Sequence, residues 1–226
     1  MHNKIVIRKA TTEDIPNIVK MEKQAWPEGL HGTEEMFRSR IETFHEGVLV
    51  AEIQNTIVGD VVAEIIYYDL ENPPKTWYEA TDNGFIKKTH QLNGNVLFGV
   101  DLTVSPNRRE SGIGSKLLME VAKLTIRKNL KFGVLGGRLP SYYKYYKDMN
   151  VDEYVNKRTE TGEYLDPELR FYHNANLKIG KPLPNYFNDP QSMNYGIQLI
   201  WENPFYVRSN RIGKIIGKIT QLIFRI

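Results

Sequence analysis

An α+β fold is predicted for this chain of 226 residues by three observations. Strand-like and helix-like segments follow in the order strand, two helices, two strands, insert, strand, helix. One strand runs into a glycine-bearing turn that opens a helix. Two further strand-like runs come after a late helix, with no internal repeat or low-complexity linker before Pro204. The length suits one large domain with additions. The expected division is a domain over 1–204 and a basic tail over 205–226.

Ile5 to Arg8 reads as the first strand. Thr11 with Glu13 and Asp14 offers a helix cap and early acids, and Ile15, Ile18, Val19 and Glu22 follow at helical spacing. Thr33-Glu34-Glu35 starts a second helix carrying Met36, Phe37, Arg40 and Ile41, and Gly47 ends that segment. Val48 to Ile53 and Thr56 to Tyr68 are strands on either side of a Gln54-Asn55 turn. A long insert covers Asp69 to Asn95. Val96 to Val104 is the next strand, and Ser115 to Lys128 has a helical pattern. Lys131 to Gly137 is a strand. Met149 to Thr161 reads as mostly helical. Asp166-Pro167-Glu168 opens a short helix by cap, proline and acid. Leu177 to Lys181 and Tyr195 to Trp201 are the last two strands.

The turn between Val104 and Ser115 carries the strongest chemical signal. A strand, a glycine turn and a helix N-terminus leave backbone N–H groups free at the positive end of the helix dipole, which suits an anion. Gly112 and Gly114 remove side chains that would hold a diphosphate off the backbone. The spacing does not fit a P-loop, which needs a glycine, four residues and then Gly-Lys-Ser/Thr. It does not fit a dinucleotide fingerprint either, which wants three glycines in an early βαβ unit.

Arg109-x-x-Gly112-x-Gly114 behind Val104-x-Pro106 resembles the acyl-CoA signature of the GNAT (Gcn5-related) N-acetyltransferase family. The insert motifs Thr76-Trp77, Thr81-x-Asn83-Gly84 and Thr89-His90 add to it. So do Gly137-Arg138-Leu139-Pro140 and Trp201-Glu202-Asn203-Pro204. They resemble a subgroup found fused ahead of carbon–nitrogen hydrolase domains; here a basic tail stands where the hydrolase would follow. The resemblance spans roughly residues 4–204. It implies a GNAT fold: a central mixed, mostly antiparallel twisted sheet flanked by helices. It implies acetyl-CoA, or another acyl-CoA, as co-substrate. Backbone groups of Arg109, Glu110, Ser111, Gly112, Ile113, Gly114 and Ser115 would grip the diphosphate. Leu102, Thr103 and Val104 would lie alongside the pantetheine. The activity implied is direct acyl transfer to a small-molecule or peptide amine; a catalytically weak acyl-CoA sensor or scaffold on the same fold is the alternative.

Direct transfer needs a general acid for the leaving thiolate and a base for the ammonium proton. Tyr172 is the candidate acid, because many GNAT members keep a tyrosine five residues before the residue that begins the last motif. Asn176 replaces the usual glycine there, and asparagine tolerates a left-handed backbone. Asp101 is the candidate base if its face of the strand lines the substrate cleft. His90 is the runner-up, with Glu64 as a further candidate. Trp77, Tyr78, Phe85 and the tyrosines from Tyr142 to Tyr146 suit an aromatic pocket or packing under loops.

Composition closes off other classes. The net charge of +3 argues for no nucleic-acid partner, and there are no cysteines for disulfides, thiolate zinc sites or nucleophiles. Five histidines without paired spacing predict no metal. No Ser-His-Asp set is visible. Ile5 to Ile7 is too short an apolar run for a signal peptide, so a cytoplasmic location is expected. The tail from Phe205 holds five basic residues and no acidic one. Ile212, Ile215, Ile216, Ile219, Leu222, Ile223 and Ile226 recur at helical spacing, so the tail is expected to form a basic amphipathic helix. It would dock on its own domain, on a second copy as in a homodimer, on a protein partner or on an anionic membrane surface.

Overall fold

The computed structural model describes residues 4–109, 111–208 and 215. Glu110 and, apart from Ile215, the expected tail helix lie outside them. Seven strands form one sheet in the order β1-β2-β3-β4-β5-β7-β6. The strands are β1 (Val6–Lys9), β2 (Val48–Ile53), β3 (Thr56–Ile66), β4 (Val96–Val104), β5 (Phe132–Arg138), β6 (Lys178–Leu183) and β7 (Gly196–Glu202). All neighbours pair antiparallel except β4 and β5. This is the mixed, mostly antiparallel sheet that the resemblance implied.

Helices α1 (Ile15–Ala25) and α2 (Glu34–Phe44) cover one face. The Thr11 N–H donates to Asp14 Oδ2 at 2.8 Å, closing the turn that starts α1. Thr33 Oγ1 accepts the Met36 N–H and caps α2. Ile15, Ile18, Phe37, Ile41 and Phe44 then bury themselves against the sheet. The insert carries one short helix, α3 (Trp77–Ala80), and otherwise turns. Helix α4 (Ile113–Arg127) covers the other face, packing Ile113 and Leu117 on Val58 and Val61. Burial of each such side chain contributes about 1.5–3 kcal/mol. A third cluster joins α5 (Val151–Asn156) and α6 (Pro167–Asn174) to Leu139, Leu177, Ile197 and Leu199. Among the described residues no helix is long and apolar enough to cross a membrane.

Two expectations change. The segment 149–161 is helical only over Val151–Asn156; a bridge from Arg158 to Tyr164 follows, turning at Gly162 with φ +82°. The helix stops where Lys157 turns to extended backbone, φ −66° and ψ 134°, and leads into that pairing. Past 204, Val207 exchanges hydrogen bonds with the Asn129 side chain at 2.9 and 3.2 Å.

Candidate active site

β4 and β5 part company halfway along. They pair only from Val96 with Phe132 to Gly99 with Leu135, although β4 runs on to Val104 and β5 to Arg138. On the other side β4 stays paired with β3, with a register shift at Val62/Ala63 that leaves Val100 as the extra residue. The edge of Leu102, Thr103 and Val104 that faces β5 therefore has no strand partner. An extended ligand can add itself there as a strand would.

The turn after β4 leads to the N-terminus of α4. Gly112 is its N-cap in the left-handed region, φ +77°, and offers no side-chain cap. A Cβ added at Gly112 would meet nothing within 4 Å, so the space above the turn is open. Arg109, Ser111, Gly112 and Ser115 are exposed. The Ser111 hydroxyl turns back to the Arg108 carbonyl. The first N–H groups of α4 thus face open space with the helix dipole behind them, which fits a diphosphate. Gly114 has a different reason: a Cβ there would lie 3.0 Å from Phe171 Cζ. Its missing side chain admits α6 rather than a phosphate.

α6 packs Tyr172 into one cluster with Leu102 of β4 and Leu135 of β5. Asp166 caps this helix by accepting the Glu168 and Leu169 N–H groups at 2.9 and 3.2 Å. Asn176, φ +62°, ends the turn behind it in the left-handed region, as expected of asparagine there. Tyr172 is buried. Its hydroxyl makes no hydrogen bond to any other described residue. Burial first, then the charges of Glu168 and Asp101, raise its pKa, so it holds its proton at neutral pH. Glu168, one turn earlier, is pushed up to about 7, mainly by burial, with Arg138 and Arg109 opposing. Arg138 donates to Asp189 Oδ2 at 2.8 Å and lies 5.1 Å from the Trp26 ring centroid.

Asp101 and Thr103 point to the α1/α2 face, while Leu102 and Val104 pack toward α4. The Thr103 hydroxyl accepts the Trp26 indole N–H at 2.7 Å and lies 3.3 Å from both Glu22 Oε1 and Asp101 Oδ1. Asp60 stands opposite Thr103 across the ladder. Glu22, Asp60 and Asp101 each offer an oxygen within 4.8 Å of the others. Glu22 and Asp60 are fully buried. Both are raised well above the usual carboxylate range, chiefly by burial and then by Asp101, with Arg40 opposing. Arg40, from α2, reaches Asp101 Oδ2 at 3.6 Å and is itself 1 % exposed.

His90 lies elsewhere. Its Nδ1 accepts the Ile65 N–H at 3.1 Å and its ring stacks on Phe44 at 4.4 Å. Burial lowers its pKa, so it packs as a neutral ring beyond the paired half of β4. Glu64 is fully buried, accepts from Thr89 at 2.8 Å and is pushed up to about 8 by burial. In the insert, the Trp77 indole N–H donates to the Val100 carbonyl at 2.9 Å, while Phe85 lines a separate pocket with Glu35, Arg38, Ser39 and Glu42. Tyr142 stacks on Tyr154 at 4.9 Å. Sequence reasoning missed Trp26, Glu22, Asp60, Arg40, Arg138 and Glu168 as site residues. Two of them carried a signal, since Glu22 and Arg40 are charges set in the apolar stripes of their helices.

The model of the acetyltransferase (GNAT) family matches residues 15–138. The uncharacterised N-acetyltransferase YkwB of Bacillus subtilis is 36% identical over 210 residues, 91% of this chain and 92% of that protein. A second Bacillus subtilis protein, named probable hydrolase YhcX, is 33% identical over 205 residues, covering 90% of this chain but 40% of that protein. The loading GNATL domain of CurA from Lyngbya majuscula has the same fold, with TM-score 0.79 and 24% identity, over 89% of this chain and 98% of that one.

Proposed function

Because this chain belongs to the GNAT acetyltransferase family, we propose that it transfers acetyl from acetyl-CoA directly to a primary amine of a small molecule or peptide. The observation that carries the reading is the split between β4 and β5 beside the exposed α4 N-terminus, with Asp101 on the unpaired stretch of β4 and its charge felt at Tyr172. The N–H groups of residues 111–115 hold the diphosphate, with Arg109 adding charge. The free edge of Leu102, Thr103 and Val104 orients the pantetheine arm and points its thioester at the split.

Asp101 accepts one proton from the ammonium of the acceptor. The freed nitrogen forms the new bond to the acetyl carbon as the carbon–sulfur bond breaks. Tyr172 gives its hydroxyl proton to the departing sulfur, and the raised pKa keeps that proton in place until then. The nitrogen, which still carries two protons, loses the second to water and becomes the neutral amide. Asp101 gives its proton to water and Tyr172 takes one back, so one proton is released net. His90 has no part, since its ring is packed on Phe44. A cytoplasmic site of action suits a chain without cysteine.

The test incubates the full chain with acetyl-CoA and a mixed pool of amines, and follows free CoA and acetylated products together. Equal amounts of both are expected. Tight acetyl-CoA binding without product from any amine would leave a binding module instead.

A further inference from the structure

Glu22, Asp60 and Asp101 would carry three negative charges if all were ionised, and Arg40 supplies one positive charge at 3.6 Å from Asp101 Oδ2. Two charges are left over in a place closed to water on the Glu22 and Asp60 side, where both residues are 0 % exposed. Isolated buried carboxylates are too costly to persist, so such groups take up protons. The partners decide which ones. Asp60 has neither oxygen hydrogen-bonded, among the described residues, and both oxygens are buried. Glu22 Oε2 accepts the Gly32 N–H at 2.6 Å, but no cation lies within salt-bridge distance of it. Asp101 is the one with an ion-pair partner, and the one whose side chain is not wholly buried, at 9 % exposed. We infer that Arg40 is a positioning residue that places the single negative charge of this trio on Asp101, leaving Glu22 and Asp60 as neutral acids behind it.

The inference rests on Asp101 as the base and explains how that base stays ionised in a buried acidic group. It also gives the insert a function. Arg40 Nε donates to the Gly84 carbonyl at 2.8 Å, and Ser39 beside it donates to the Phe85 carbonyl at 2.8 Å. Gly84 has φ +87°, and a Cβ there would lie 2.9 Å from Trp77 Cη2 and 3.3 Å from Arg40 Nη2. Trp77 in turn holds the Val100 carbonyl, next to Asp101. The insert thus fixes the guanidinium and the strand that carries its partner. Its Nη1 has no hydrogen-bond acceptor, so its field is spent on the carboxyl groups. The charged and titratable groups facing Asp101 are Glu22 from α1, Arg40 from α2, Asp60 from β3 and Tyr172 from α6. Glu64, further along β3, feels Arg40 as well.

The experiment measures kcat/KM for the acceptor against pH in wild type, Arg40→Met and Arg40→Lys. Arg40→Met is expected to move the acid limb upward by about one pH unit or more, since an opposite charge at this range shifts a carboxyl by about 1–3 units. On the limb itself the rate falls by about tenfold for each pH unit of that shift. The KM for acetyl-CoA stays unchanged, and Arg40→Lys brings the limb back toward wild type. A limb that does not move in a folded Arg40→Met variant overturns the inference. Should that variant fail to fold, carboxyl carbon-13 resonances of aspartate decide in the wild-type chain. Those of Asp101 and Asp60 are assigned by their loss in Asp101→Asn and Asp60→Asn. At pH 6.5 Asp101 is expected ionised and Asp60 neutral, and the reverse pattern overturns the inference. An ionised Asp101 whose replacement leaves turnover intact would instead remove Asp101 from the reaction and leave the charge assignment standing.

Discussion

The turn at 109–115 follows the end of β4 and the acid group lies on the α1/α2 face of that strand, and they are built in opposite ways. The turn is backbone: exposed, local in sequence and dependent on one left-handed glycine. The acid group is side chain: buried, and drawn from α1, α2, β3 and β4, with Glu22 lying 81 residues before Thr103. A backbone site can be read from spacing because neighbours in sequence make it. A side-chain site depends on which charges the fold leaves together, and its chemistry lies in protonation. On the proposed reading the first holds a ligand, and the second moves a proton.

Gly112→Asp should break the first region most severely. Aspartate tolerates the left-handed conformation, so the fold survives, but its carboxylate stands where the phosphates bind. Like charges so placed cost several kcal/mol, so acetyl-CoA affinity should fall by roughly 100-fold or more in calorimetry. Unchanged affinity in a folded variant would end the anion-site reading. Tyr172→Phe removes one hydroxyl and little packing. Its kcat should drop by roughly 100-fold, the usual scale for general acid catalysis, with acetyl-CoA affinity kept. Full turnover would return Tyr172 to a packing role.

Glu64 sharpens the comparison through stability. Its folded pKa, about 8, lies above the unfolded value, so the folded state keeps a proton that the unfolded state releases. Stability from this group is fully present below about pH 4.5 and is lost as pH rises toward 8. Glu64→Gln removes that loss. Denaturant melts should show the variant gaining on wild type from pH 5 to pH 8, by roughly 1–3 kcal/mol. A gap independent of pH would mean that Glu64 is ionised when folded. The smallest effect belongs to Gly114→Ala. Its Cβ meets Phe171 at 3.0 Å, so the cost should stay near 1 kcal/mol. Adding Phe171→Leu should relieve it; no relief would return Gly114 to the phosphate site.

The same contrast explains what the sequence made legible. The seven strands, the caps of α2 and α6 and the Gln54-Asn55 turn were readable because each is a local pattern. Even Asn176 in the left-handed region followed from one substitution. The strand, glycine turn and helix at 104–115 were readable for the same reason, although Gly114 makes room for Phe171. Tyr172 and Asp101 came from family likeness and strand alternation. Arg40, Asp60 and Arg138 were not readable as partners, since nothing local says that a helix charge and a strand charge will meet. Glu22 and Arg40 were visible only as charges out of place among Ile18, Val19, Phe37 and Ile41. His90 looked useful by residue type alone, and its neighbours Phe44 and Ile65 give it other work.

The most direct measurement is the equilibrium affinity of the Asp101→Asn chain for acetyl-CoA. If the backbone turn alone holds the ligand and the acid group acts only on the amine, affinity should stay within about twofold of wild type while acetyl transfer is lost. A loss of about tenfold or more in affinity would contradict the account, because it would make the acid group part of the acyl-CoA site.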